Sequence, residues 1–134
     1  MTNRCIELHD SDIETVSFQN DTIVIKFSCV HIHVSSGSPG VDPGTGWNQS
    51  ATLIIAGTSE NTIWESFPCV ISSGQMKLGN QIFENIIPIP LDYKGHIELY
   101  LTLSNRKTLS ISGMGAILLL HGEPEYMEEF DGTQ

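Results

Sequence analysis

Basic residues are scarce in this chain. Six Lys and Arg stand against 16 Asp and Glu, which gives a formal net charge of −10 over 134 residues. The few bases are scattered, with only Arg106 and Lys107 adjacent, and aromatics do not alternate with them, so no nucleic-acid groove is encoded. A field of this sign repels nucleic acid and anionic lipid and attracts cationic partners. Long apolar runs are missing as well. The longest, Ala116-Ile117-Leu118-Leu119-Leu120, falls far short of the roughly 20 residues a membrane-spanning helix needs. Neither nucleic acid nor membrane is an expected partner.

Cysteine pairs are absent. Cys5, Cys29 and Cys69 are odd in number, widely spaced and without a C-x-x-C, which argues against a disulfide framework and for a reducing compartment. Met1-Thr2-Asn3-Arg4 carries no basic-then-apolar leader, so the expected location is the cytoplasm. Catalytic signatures are missing too. There is no Gly-x-Ser-x-Gly elbow, and Gly40 to Gly46 lacks the lysine of a phosphate loop. Asp10, Asp12 and Glu14 alternate without the glycine and terminal glutamate of a calcium loop, and read as a turn with solvated acids. No enzymatic activity and no cofactor are expected.

What the chain does have is a period of two. His96 to Leu103 puts Ile97, Leu99, Leu101 and Leu103 on one face and His96, Glu98, Tyr100 and Thr102 on the other. Thr22 to Val34 predicts a longer strand, one face being Ile23, Ile25, Phe27, Cys29, His31 and His33. Ala51–Ala56 and Thr108–Leu120 predict further strands, the last with a bulge or bend at Gly113 and Gly115. Turn signals recur at His9–Asp12, Asn20-Asp21, Ser73-Gly74, Gly79-Asn80, Asp92–Gly95 and Ser104–Lys107. Residues 58–66 predict a single helical turn and no more. Pro88 and Pro90 remove donors from one side only and mark an edge strand or a sheet-crossing link. The expected fold is all-β: one domain, an antiparallel β-sandwich or partly open barrel with a long Gly/Pro loop. That loop, Ser35 to Gly46, predicts a wide crossover between two sheets, with Trp47 closing one end of the core.

Two groups of residues carry candidate chemistry. His31 and His33 lie at i and i+2, so on a strand both imidazoles reach the same side and form a weak candidate metal site. A third ligand would have to come from His96, His121 or Glu98. The second group is the acidic segment 122–134. Glu123, Glu125, Glu128 and Glu129 are punctuated there by Tyr126, Met127 and Phe130, and Pro124 bars a smooth continuation of the preceding strand. Aromatics among acids suit a segment that docks its apolar side chains on its own sheet or on a partner.

Three stretches, Glu7-Leu8-His9-Asp10-Ser11, Gly46-Trp47-Asn48-Gln49 and Gly122-Glu123-Pro124-Glu125-Tyr126, resemble small bacterial immunity proteins of polymorphic toxin systems. The resemblance implies a non-enzymatic protein that binds one cognate toxin and blocks its active site. Many such toxins are cationic nucleases.

The expected function is therefore binding of a cationic protein partner, most concretely a nuclease toxin. Glu123, Glu125, Glu128 and Glu129 would steer it, and Tyr126, Phe130 and Trp47 would anchor it. The alternative is a small-molecule- or metal-binding β-barrel with His31 and His33 inside and the 35–47 loop as a lid.

Overall fold

Alternating apolar residues and tight two-residue turns build the molecule almost entirely from strands. The computed structural model describes residues 3–37, 42–58 and 68–130. Among these residues lie β1 (Asn3–Gln19), β2 (Thr22–Ser35), β3 (Gly44–Ala56), β4 (Cys69–Leu78), β5 (Gln81–Glu84), β6 (Ile86–Ile89), β7 (Asp92–Leu103) and β8 (Thr108–Phe130). All pairings are antiparallel, in the order β5-β4-β7-β8-β3-β2-β1-β6, and a further β1–β4 pairing closes the sheet on itself. The ring runs β1-β2-β3-β8-β7-β4. No helix long and apolar enough to cross a membrane occurs among the described residues.

The turns follow from their residues. Asn20 and Asp21 both take positive φ (54° and 57°), as a type I′ hairpin between β1 and β2 requires. Gly79 (φ 60°) opens the two-residue turn between β4 and β5. Arg106 takes positive φ (72°) as the third residue of the four-residue β7–β8 connection, where Leu103 N–H donates to Lys107 O. The 96–103 alternation holds: Ile97, Leu99, Leu101 and Leu103 are all buried in the core. Each such side chain contributes roughly 1.5–3 kcal/mol by leaving water.

Several expectations need correction. The 35–46 stretch is no crossover between sheets. β2 runs on to Ser35, β3 starts at Gly44, and the two strands are adjacent partners, so the connection is a hairpin. Ser73-Gly74 and Asp92–Gly95 lie inside β4 and β7, and His9–Asp12 lies inside β1, as interruptions of continuous strands. β2 does not keep one face inside. Ile23, Ile25 and Phe27 are buried, and then Val30 and Ile32, because a bulge between Phe27 and Val30 inverts the alternation. The expected irregularity at Gly113–Gly115 is there, the extra residue belonging to the facing β7 around Gly95 (φ 139°). β6, with Pro88, ends the strand order and is an edge strand. The helical turn expected at 58–66 lies, beyond Thr58, outside the described residues.

Closure is achieved at a narrow seam. β1 and β4 pair directly only at Asp12–Val70 and Ile13–Cys69, then diverge. The β5–β6 ribbon fills the widening gap, β6 on Arg4–Glu7 and β5 on Gln75–Leu78. Asn85 stands at its apex with φ 60°. Leu8 N–H donates to Asn85 O (2.9 Å), Asn85 N–H donates to Gly74 O (2.8 Å), and Gly74 N–H donates to Asn85 Oδ1 (3.0 Å). Gly74 must be small, since a Cβ there would lie 2.7 Å from Leu101 Cδ2 and 2.9 Å from Leu8 Cδ1.

Asn85→Ala is expected to cost about 1–2 kcal/mol, from the left-handed backbone and the lost acceptor for Gly74 N–H. Asn85→Gly should cost less, because glycine adopts that backbone freely. Urea midpoints of the two variants measure the difference. Equal losses would remove the backbone conformation from the account.

Candidate functional site

Two long-range consequences of the bulges create the most structured surface feature. Between Glu7–His31 and Asp12–Cys29, β1 carries four residues (8–11) opposite the single Val30 of β2. Asp10 sits at the turn of this bulge with φ 67°. Ser11, fully buried, ties the bulge down: its hydroxyl donates to Glu7 O (2.8 Å) and accepts from His31 N–H (3.4 Å). β8 has its own irregularity, three residues (122–124) opposite Gln49 alone. Gly122 takes φ 71° there, and Gln49 Nε2 donates to Gly122 O (2.8 Å). Pro124 therefore bends β8 without ending it, and the acidic segment continues as strand to Phe130.

The outcome is a sheet end in which β1, β2, β3 and β8 lie side by side. Cross-strand partners share a face. Glu7, His31, Asn48 and Glu125 form one row, and Cys5, His33, Gly46 and Glu128 the next. The opposite, core-side face carries Ile32, Trp47 and Tyr126. Trp47 is half-buried against the core, its indole N–H donates to Thr45 Oγ1 (2.8 Å), and Tyr126 meets it edge-on at 5.2 Å between ring centres. The expected anchors Trp47 and Tyr126 are thus brought together. The side chain of Phe130, the third, lies outside the described residues.

Over the polar rows runs a cleft of about 200 Å³, whose lining includes Glu7, Asp10 and Glu128, and no Lys or Arg among the described residues. His31 bridges it. Its Nδ1 meets Asn48 Oδ1 at 2.6 Å and its Nε2 meets Asp10 O at 3.1 Å. His33, 3% exposed, pairs through Nδ1 with Glu7 Oε1 at 2.9 Å. His9 closes the rim, with Nδ1 on Ser72 O (2.8 Å) and Nε2 3.3 Å from Asp10 Oδ2. Glu123, Glu125, Glu128 and Glu129 are all exposed along β8.

The two histidines do share the outer face, as their spacing predicts, but both nitrogens of His31 are in hydrogen bonds. The proposed third ligands sit elsewhere. His96 and Glu98 are neighbours on β7 (3.8 Å), and His121 Nε2 bonds Thr52 Oγ1 (2.8 Å). Among the described residues no group of three or more His, Cys, Asp or Glu side chains converges on a point that could hold a metal ion. The acidic end and the histidine strand, two separate candidates in the sequence, line the same cleft. Glu7, Asp10 and Asn48 had no local signal as site residues. Asp10 in particular is a bulge residue on the rim, where the sequence suggests a solvated turn.

The negative field is felt by the thiols. Burial, and secondarily Glu7, pushes Cys5 from an ordinary 9.0 up to about 12. Burial raises Cys29 too, aided by Asp12 and then Glu125. The stretches 7–11, 46–49 and 122–126 are neighbours around this sheet end, as the β1 bulge, the start of β3 and the β8 bulge. Comparison with protein-family models, with curated proteins and with solved structures yields no match.

Because the folded protein holds Cys5 as a neutral thiol, unfolding above the ordinary thiol range releases a proton. The sign follows: the stabilisation is complete below about pH 9.0 and is lost progressively as pH rises to about 12. Cys5→Ala should flatten the fall in melting temperature across that window. Native Cys5 should also resist alkylation at pH 8, read by peptide mass spectrometry, until the protein is unfolded. Rapid labelling of native Cys5 would contradict its burial.

Proposed function

We propose that this chain is a non-enzymatic binding protein that neutralises a basic protein by direct contact, most concretely an immunity protein against a nuclease-type toxin. One observation carries the reading: Glu128 of β8 lines a cleft that already holds Glu7 and Asp10, and Trp47, which Tyr126 meets edge-on, belongs to the same lining. Charge at such a surface speeds encounter and rejects wrong partners, and desolvated aromatics supply most of the affinity. A toxin that binds nucleic acid must itself be cationic, and an acidic surface competes for that same patch. The three cysteines form no disulfide with one another, which suits a protein working in a reducing compartment.

The experiment is an affinity capture from lysate of the source organism with the wild-type chain and with Glu125→Lys/Glu128→Lys, washed at low and then moderate salt. A single basic protein should survive the moderate wash on the wild type and be lost from the variant. With that partner in hand, the double reversal should slow association at least roughly tenfold at low ionic strength. An identical, salt-labile mixture of basic proteins on both would show that the charge is generic and end the reading.

A further inference from the structure

The second half of β8 has a partner on one side only. β7 accompanies β8 from Thr108 to Ile117, and Leu118 N–H donates to Leu91 O (3.0 Å) as the last bond on that side. From Leu119 to Phe130, β8 pairs with β3 on one edge, and among the described residues nothing pairs with the other. An exposed strand with unmade backbone bonds is a template for another chain. Large apolar side chains along it are exposed: Leu119 at 43%, Tyr126 at 49% and Met127 at 51%.

We propose that the free edge of β8, residues 119–130, takes up an extended segment of a cationic protein as an added β-strand. The proposal rests on the reading of this chain as a binder of a basic protein and adds how the partner is held. Charge decides the occupant. A second copy of this chain would set Glu123, Glu125, Glu128 and Glu129 against themselves, in a molecule of net charge −10. A basic segment meets the reverse situation. The faces of β8 also specify its pattern. Glu125 and Glu128 share the face of the acidic cleft, whereas Tyr126 shares the face of Trp47. An incoming strand therefore places Lys or Arg beside Glu125 and Glu128, which share a face because Met127 is an extra residue between them, and apolar residues beside Tyr126, whose face Glu129 also shares. The Gly122–Pro124 bulge interrupts the edge and Met127 is a second, one-residue irregularity, so the contact falls on 125–126 and 128–130, with a shorter one at 119–121.

The test uses the full chain and a synthetic peptide of alternating lysine and valine, capped at both ends, followed by amide exchange and by backbone NMR shifts. Two N-methylated versions of the peptide each block the donors of one edge and leave its charge intact. The unmodified peptide should slow exchange of β8 amides within 119–130. One methylated version should bind comparably and the other on the order of tenfold more weakly, because only one edge of the peptide faces β8. If both methylated versions bind like the parent, the contact is charge alone: strand addition is overturned and the acidic-face reading stands. Protection elsewhere on the chain, or no binding of the parent, also overturns strand addition, while the lysate capture tests the acidic face independently.

Discussion

Everything in this molecule depends on closing a sheet whose first and fourth strands scarcely meet. A sheet of alternately apolar strands buries its inner face only if it curls, and curling leaves two edges to be joined. Here the join is two residue pairs at Asp12–Ile13 and Val70–Cys69, after which β1 and β4 part. Asn85 then supplies a backbone acceptor to β1 and both a donor and a side-chain acceptor to β4. A residue with positive φ is needed there because the chain reverses between β5 and β6 in one step, and Asn tolerates that backbone better than most. Glycine at 74 lets β4 pass close to Leu8 and Leu101 at the same level. The core inside the ring, from Ile6 to Ala116, is sealed by this small set of contacts.

The bulges that let the sheet curl also make the surface. Ser11 ties the β1 bulge across to β2, which turns Asp10 O and the His31 ring towards each other. Further along, the β2 bulge moves Val30 and Ile32 inward and leaves His31 and His33 on the outer face. Straight strands in their place would point the two histidines at the core, at a desolvation cost that only hydrogen bonding could offset. His33 shows what that requires even on the outer face, where it is buried and paired with Glu7.

Strand alternation was readable wherever pairing is regular. Ile97 to Leu103, the Asn20-Asp21 hairpin and the proline-marked edge β6 follow directly from residue pattern and turn chemistry. The errors cluster at bulges. Lys26 and Ser28 are polar on one parity, His31 and His33 on the other, and that switch at Ser28-Cys29 was the available sign of the inversion. Gly95 and Gly74 were read as turns because glycine marks tight backbone of either kind, and only the facing strand tells a bulge or a close approach from a reversal. The cleft was half legible. Its β8 side is a composition signal, five acids in ten residues from Gly122 to Asp131. Its β1 side, Glu7 and Asp10, lies more than a hundred positions from Glu128 in sequence and is brought beside it only through the intervening strands β2 and β3, and no local pattern records that.

The distribution of charge follows from where the core ends. Residues 121–129 are exposed on both faces, held by the β3 ladder, the Gln49–Gly122 bond and the Trp47–Tyr126 contact. Carboxylates there keep their hydration, so crowding them costs little, whereas the same acids inside the ring would each need a partner. Their field adds to effects further in: burial first, then Asp12 and last Glu125 raise the Cys29 thiol on β2. An open, partly apolar strand edge would ordinarily invite pairing with copies of itself, and a sheet protein must prevent that. Like charge does so while leaving the backbone of β8 extended and its edge accessible. The acids thus oppose self-pairing without blocking the edge, whereas a proline-filled or covered edge would close it to every neighbour.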